Sequence, residues 1–327
     1  MNFELDEQQR DFAATVDAAL GAADLPGATR AWSAGDTMPG RKVWAQLAEL
    51  GVTALMVPES YDGIGAHPVD LVVAMERIGY WCVPGPVAES IAVAPILLAG
   101  REEFADQSAG LASGDLIATV AMPPLVARAV DADAAGLILL ADRGQARHCV
   151  ASDRYASIDP SRRLFDVRAA GESWSADVTG AFEFGALATA AQLLGAGQAM
   201  LDSAVGYAKQ RSQFGVMIGS YQAIKHKLAD VLIAIELARP LVYAAALTLA
   251  DDDPGVSAAA ARDVSAAKVA AADAALLAAR SALQTHGAIG FTQEHPLSLQ
   301  LLRVQALRPA WGDATWHRRR VLEALTA

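Results

Sequence analysis

The sequence predicts a mainly α-helical fold interrupted by one small β module. Apolar residues recur at three- and four-residue spacing towards both ends of the chain, the period of a helix face. Between them the pattern changes to short apolar runs separated by turn residues. Alanine is abundant, and alanine favours helices that pack closely. Three segments follow: a helical one over residues 1–108, an abbreviated β module over 109–182 and a helical bundle over 183–327.

In the first segment Phe12, Val16 and Leu20 share one helix face. A second helix over 43–50 stops at Gly51, a residue suited to a helix C-cap. Residues 58–65 contain Tyr61, Asp62, Gly63 and Gly65 and read as a loop. Another helix is expected over 68–80. In the second segment, residues 116–120 and 136–140 are short apolar runs. The latter, a turn at 141–144 and residues 147–151 predict a hairpin, with further strands at 164–167 and 174–178. In the third, Leu187, Ala190, Leu194, Leu201, Val205 and Ala208 form one apolar stripe, and Tyr221, Ile224, Leu228, Val231 and Ile235 another. Asp251, Asp252, Asp253, Pro254 and Gly255 break the chain between helices. A long alanine-rich helix follows over 257–285, and Pro296 stands where a first helical turn tolerates it.

At 327 residues the chain can bury a sizeable core. It carries 26 basic and 37 acidic residues, a net charge of −11, which argues against a nucleic-acid partner. Cys82 and Cys149 lie far apart, so a disulfide scaffold is not expected and a reducing compartment fits. The acidic start lacks the apolar stretch of a secretory signal. No run of about 18 apolar residues predicts a membrane span. The expected setting is soluble and cytoplasmic, with no membrane partner and no metal site.

Two motifs carry chemistry. The first is Arg211-Ser212-Gln213-Phe214-Gly215, followed by Gln222. The Arg211 guanidinium offers fixed donors that match a phosphate or pyrophosphate. Gly215 allows a sharp turn or a close ligand approach. Phe214 could stack on a planar ring or fill core. The second is Gln284-Thr285-His286-Gly287-Ala288-Ile289-Gly290-Phe291. The Gln284 amide both donates and accepts, while Gly287 and Gly290 let the main chain press its N–H groups against phosphates. His286 reads as a polar neighbour, since no Ser or Asp is placed to make it a catalyst.

Tyr207 to Gly215 with Gln222 and Leu228-Ala229-Asp230, then the Gln284 motif, resemble the acyl-CoA dehydrogenase family. Residues 44–51, the run Val57-Pro58-Glu59-Ser60-Tyr61-Asp62-Gly63-Ile64-Gly65 and residues 76–79 resemble its N-terminal helical domain. The middle segment matches only through Ile158-Asp159-Pro160-Ser161-Arg162-Arg163. The resemblance implies three domains and FAD as cofactor. It implies that Arg211, Gln213, Phe214, Gln222, Gln284, Gly287 and Gly290 grip the ADP half of FAD across a subunit boundary. Ala288 departs from the pattern, which has a second glycine there. Glu59 is expected in a loop or capping role, because the family does not draw its base from that position.

Family chemistry needs a carboxylate at the acyl α-carbon and donors on the thioester oxygen. Counted along the resemblance, the usual base position falls on Gly312 and an alternative on Gly185. Glu183 is two residues from the latter, which on a helix turns it about 200° away. Asp313 is the one candidate replacement, with a capping role as the simpler reading. The segments that cradle the flavin ring and acyl-CoA find no counterpart. Trp32 and Trp174 read as packing residues, and the run His317-Arg318-Arg319-Arg320 as a solvated helix face. The expected function is an FAD-sharing, non-catalytic subunit of an α2β2 acyl-CoA dehydrogenase. Its partner would be a second, catalytic dehydrogenase-like chain and its substrate an acyl-CoA, with bulky steroid side-chain esters implied by the resemblance. A homomeric dehydrogenase using Asp313, a flavin-free paralogue, and a flavin monooxygenase or nitroalkane oxidase on the same fold are the alternatives.

Overall fold

The N-terminal helices form where local capping and apolar spacing agree. In the computed structural model, which describes residues 4–250 and 258–326, Asp6 and Gln9 close a capping box at the start of α1 (Glu7–Gly21). Helices α2 (Leu25–Ser33), α3 (Met38–Glu49) and α4 (Pro68–Tyr80) follow. Gly51 is left-handed (φ 74°), as the chain reversal after α3 requires. Pro68 opens α4, where its missing N–H costs nothing, and His67 Nδ1 accepts from the Val69 N–H. A single π turn (Glu89–Val93) leads into α5 (Ala94–Leu98), and α6 (Ala105–Ser113) completes this layer.

The β module is one five-stranded sheet of order β1-β3-β4-β5-β2. Its strands are β1 (Ala118–Ala121), β2 (Ala129–Val130), β3 (Leu137–Asp142), β4 (Gln145–Tyr155) and β5 (Leu164–Ser175). The predicted hairpin is β3–β4, with Asp142 opposite Gln145 across Arg143 and Gly144. The two strands expected at 164–167 and 174–178 are instead one continuous strand, β5. Its polar middle resembles a connection in sequence, but pairing with β4 at Cys149–Ala169 and Arg147–Ser173 holds it extended. Val178 lies beyond that strand and begins the next helix.

Helix α7 (Val178–Gln210) starts at Asp177, whose carboxylate accepts from Gly180 N–H at 2.8 Å. It is the central helix, buried on nearly every side between residues 185 and 197. A small hairpin, β6 (Ser212–Gln213) and β7 (Val216–Met217), leads to α8 (Gln222–Leu249). Then come α9 (Ala258–His286), α10 (Leu297–Leu307) and α11 (Ala314–Thr326). The expected break at Asp251–Gly255 lies outside the described residues. Helices α7 and α8 are long and apolar enough to cross a bilayer by length and composition, but α7 is the buried core of the bundle.

One hydrophobic cluster runs through the N-terminal helices, part of the sheet and the C-terminal bundle. Arg303 on α10 ties the three together. It donates to Val83 O at 2.8 Å, to Asp159 Oδ2 at 2.6 Å and to Ser161 Oγ at 2.9 Å. Burial opposes charge on Asp159, but Arg303 and Ser161 outweigh it and hold the carboxyl below its usual range. Trp32 and Trp174 are buried; Trp174 donates to Leu97 O and packs against Phe104 and His148.

Candidate functional site

The first motif forms the β6–β7 hairpin, with Gln213 opposite Val216. Its two turn residues both have positive φ, 53° at Phe214 and 82° at Gly215, as in a type I′ turn. Glycine suits that geometry and phenylalanine does not. The Phe214 ring is 93% exposed, so no internal packing offsets the backbone cost. An aromatic held this way at a loop tip points to an external contact. Arg211 and Gln213 are exposed beside it, and Gln222 opens α8.

The second motif ends α9. Gln284 is exposed and lines a groove of about 520 Å³ between α8 and α9, together with His226, Lys227, Asp230 and Arg280. Arg211, Lys227 and Arg280 form no ion pair among the described residues, and in the groove Lys227 and Arg280 outnumber the one carboxylate, Asp230. Gly287 is exposed with φ 63° and open space around it, leaving its backbone accessible. Gly290 is buried instead. A Cβ there would meet Leu283 and His286 at 3.1 Å, so close packing is what requires glycine. His286 is an interior residue: its ring meets Ala282 O at 2.8 Å and Ser203 Oγ at 3.2 Å and stacks on Tyr207.

Neither position counted for the base carries a carboxylate. Gly312 follows Trp311, whose indole lies against Gly185 of α7. Asp313 is exposed and caps α11, accepting from the Trp316 N–H at 2.8 Å. Glu183 is buried and bonded by Arg320, which donates to its Oε2 at 3.0 Å. Burial pushes the Glu183 carboxyl up and Arg320 opposes this. The run at 317–320 is therefore not a solvated face throughout. His317 and Arg320 turn inward, while Arg318 pairs with Asp273 at the surface. The helical period decides this: residues 317 and 320 are one turn apart and face α9 and α7.

A cleft lies between the β module and the C-terminal helices. One cavity, about 360 Å³, is bordered by Leu125, Val130, Arg162, Ala310, Trp311 and Glu89. The Glu89 carboxylate is buried without a hydrogen bond among the described residues, with Arg162 at 3.7 Å. A second cavity, about 270 Å³, borders Leu125, Phe182, Glu183, Trp316 and Arg320. Sequence reasoning missed Glu89, Trp311 and Arg320, because nothing local distinguishes them from core or surface residues.

Models of the acyl-CoA dehydrogenase N-terminal and C-terminal domains match residues 6–115 and 174–326. Acyl-CoA dehydrogenase IpdE2 of Mycobacterium tuberculosis is 31% identical over 281 residues, 85% of each chain. The chain belongs to the acyl-CoA dehydrogenase family. Acyl-CoA dehydrogenase FadE34 of the same organism is 32% identical over 85% of this chain and 41% of its own length. Among solved structures, the ChsE4-ChsE5 complex from Mycobacterium tuberculosis superposes with a TM-score of 0.85 at 24% identity, covering 100% of this chain and 99% of that one. Butyryl-CoA dehydrogenase from Megasphaera elsdenii gives 0.84 at 20%, covering 100% of both. The fold is thus the acyl-CoA dehydrogenase fold, helical at both ends with a β domain between. Acyl-CoA dehydrogenases bind FAD, and exposed residues of the two motifs suit the ADP end of such a cofactor in chemical type. Arg211, Lys227 and Arg280 match a pyrophosphate in charge, Gly287 leaves an approachable main chain, and Phe214 offers a free aromatic face.

Proposed function

We propose that this chain is the FAD-sharing, non-catalytic subunit of a cytoplasmic α2β2 acyl-CoA dehydrogenase. The assembly introduces an α,β double bond into an acyl-CoA thioester, with bulky steroid side-chain esters as the substrate class. One observation carries this reading. Arg211, Gln213, Phe214, Gln222, Gln284 and Gly287, suited to the ADP end of the flavin, are exposed, while both positions counted for the base are glycine. Bound FAD supplies the hydride acceptor. Arg211, Gln213, Phe214, Gln222, Gln284, Gly287 and Gly290 of this chain hold or shape the seat of its nucleotide end. A second dehydrogenase-like chain supplies the ring pocket and the base.

Two further facts support a partner. Ile233, Leu237 and Leu241 form an exposed apolar ridge along α8, continued by Leu277 of α9. The ChsE4-ChsE5 structure is a complex, and a Tcur3481-Tcur3483 steroid ACAD variant matches with a TM-score of 0.84 at 20% identity, covering 98% of each chain. Asp313 is tied up as a helix cap, which weighs against a homomeric enzyme.

The test is co-expression with the dehydrogenase-like product of a neighbouring gene, followed by flavin quantification. Arg211→Ala and Gln284→Ala should each lower flavin occupancy of the purified complex. Unchanged occupancy in both would sink the shared site. Acyl-CoA reduction of flavin by this chain alone, lost in Asp313→Ala, would replace the proposal with the homomeric reading.

A further inference from the structure

We infer that Trp311 is a built-in occupant of this chain's own acyl cleft, so that a folded copy takes no acyl-CoA there. The inference rests on the non-catalytic reading above and deepens it, from a missing carboxylate to a filled site. The two glycines counted for the base lie far apart in sequence, yet the fold sets Gly185 against the indole of Trp311, the residue before Gly312. A Cβ on Gly185 would sit 2.5 Å from Trp311 Cε3, 2.6 Å from Cδ2 and 2.7 Å from Cζ3. The six-membered ring therefore lies directly where a side chain at 185 would project. Gly312 has φ 93°, and a Cβ there would sit 2.7 Å from His317 Nε2 and 2.9 Å from Trp316 Cε3. Neither position has room for a carboxylate.

Trp311 is costly to hold in place. Its backbone is left-handed (φ 58°), a conformation unfavourable for a bulky residue. Its buried Nε1–H has no hydrogen-bond partner among the described residues. Filling a core gap does not demand the second cost, since a leucine would fill one without an orphaned donor. What the arrangement achieves is closure. Trp311 packs beside Phe182 (ring centroids 5.9 Å apart), and Phe182 against Trp316 (5.3 Å). Trp311 borders the 360 Å³ cavity, Phe182 and Trp316 border the 270 Å³ one, and both cavities border Leu125. Removing the indole would enlarge the 360 Å³ cavity towards Gly185, where a side chain at that position would project.

The experiment uses the complex with its partner and S-octyl-coenzyme A, a thioether that cannot be dehydrogenated through a thioester enolate. Calorimetry reads how many equivalents bind per flavin. The wild-type complex should bind one, in the partner's cleft. Trp311→Ala should add a second, one per copy of this chain, and Leu307→Ala, a cavity elsewhere in the bundle, should add none. A wild-type value of two per flavin overturns the inference. So does a folded Trp311→Ala complex that stays at one. Should the alanine variant fail to assemble, Trp311→Leu carries the same readout, and a value of one there counts equally against it. Absence of flavin from the wild-type complex overturns the subunit reading alone. Trp311 is then judged on this chain by itself, where gain of S-octyl-coenzyme A binding in Trp311→Ala supports the plug and no gain refutes it.

Discussion

His317 lies in a run of basic residues, yet it is fully buried. Its Nε2 meets Trp311 O at 2.9 Å, so Nε2 carries the hydrogen, and Nδ1 then accepts from Ser265 Oγ at 3.0 Å. Burial first, and the Lys268 charge second, push its pKa down to about 4. In the unfolded chain an ordinary histidine protonates near pH 6.5. The neutral ring therefore adds stability that is fully present above about pH 6.5 and is lost as the pH falls towards 4. We expect about 3 kcal/mol of unfolding free energy to disappear over that window. Urea titrations at stepped pH would measure it, and His317→Gln should flatten the profile there. Such inward turns were not legible from the sequence. In Ala314-Thr315-Trp316-His317 nothing marks which polar side chain meets a buried carbonyl.

At the scale of elements, the β6–β7 turn sets stability against contact. Asparagine tolerates positive φ better than phenylalanine. Phe214→Asn should leave the fold as stable or raise it by up to about 1 kcal/mol, while flavin occupancy of the complex falls. Lower stability with intact occupancy would show that the ring serves the hairpin itself. Along α8, Leu237 is 70% exposed. Leu237→Glu should change the stability of the isolated chain by less than about 0.5 kcal/mol and weaken assembly, read by sedimentation velocity. An unaltered sedimentation profile would remove the ridge from the interface. The expected stripe on α8 was legible in its inner part, as Leu228, Val231 and Ile235 are buried. The opposing apolar ridge was not, because a helix apolar on two sides gives no single period to follow. Likewise β5 read as two strands, since a strand whose middle faces solvent loses its apolar signal there.

Across the whole molecule, Arg303 is the shared fastening of its three parts, and it was invisible in the sequence because its partner Asp159 lies 144 residues away. The coarse fold was legible because helix and strand periods are local. Removing one partner of a buried pair strands the other. Arg303→Met should cost about 3–5 kcal/mol, seen as a lower urea midpoint. Hydrogen exchange should show the sheet opening before the helical bundle. A midpoint unchanged from wild type would mean that the packed core alone joins the three parts. The lowered pKa of Asp159 adds stability that is present above its unfolded pKa near 4 and is lost as the pH falls through its folded value.

The meeting of Gly185, Trp311 and Gly312 also bears on descent. A carboxylate at 185 collides with an indole, and one at 312 must adopt a left-handed backbone against His317. No single codon change at either position therefore places a carboxylate there without other packing changes. An intermediate that clears the indole alone gains an open cleft and no base, so selection has nothing to hold on to. On the subunit reading proposed above, the packing works as a ratchet: a lineage that has crossed it stays dependent on its partner gene, and the two should be inherited and lost together.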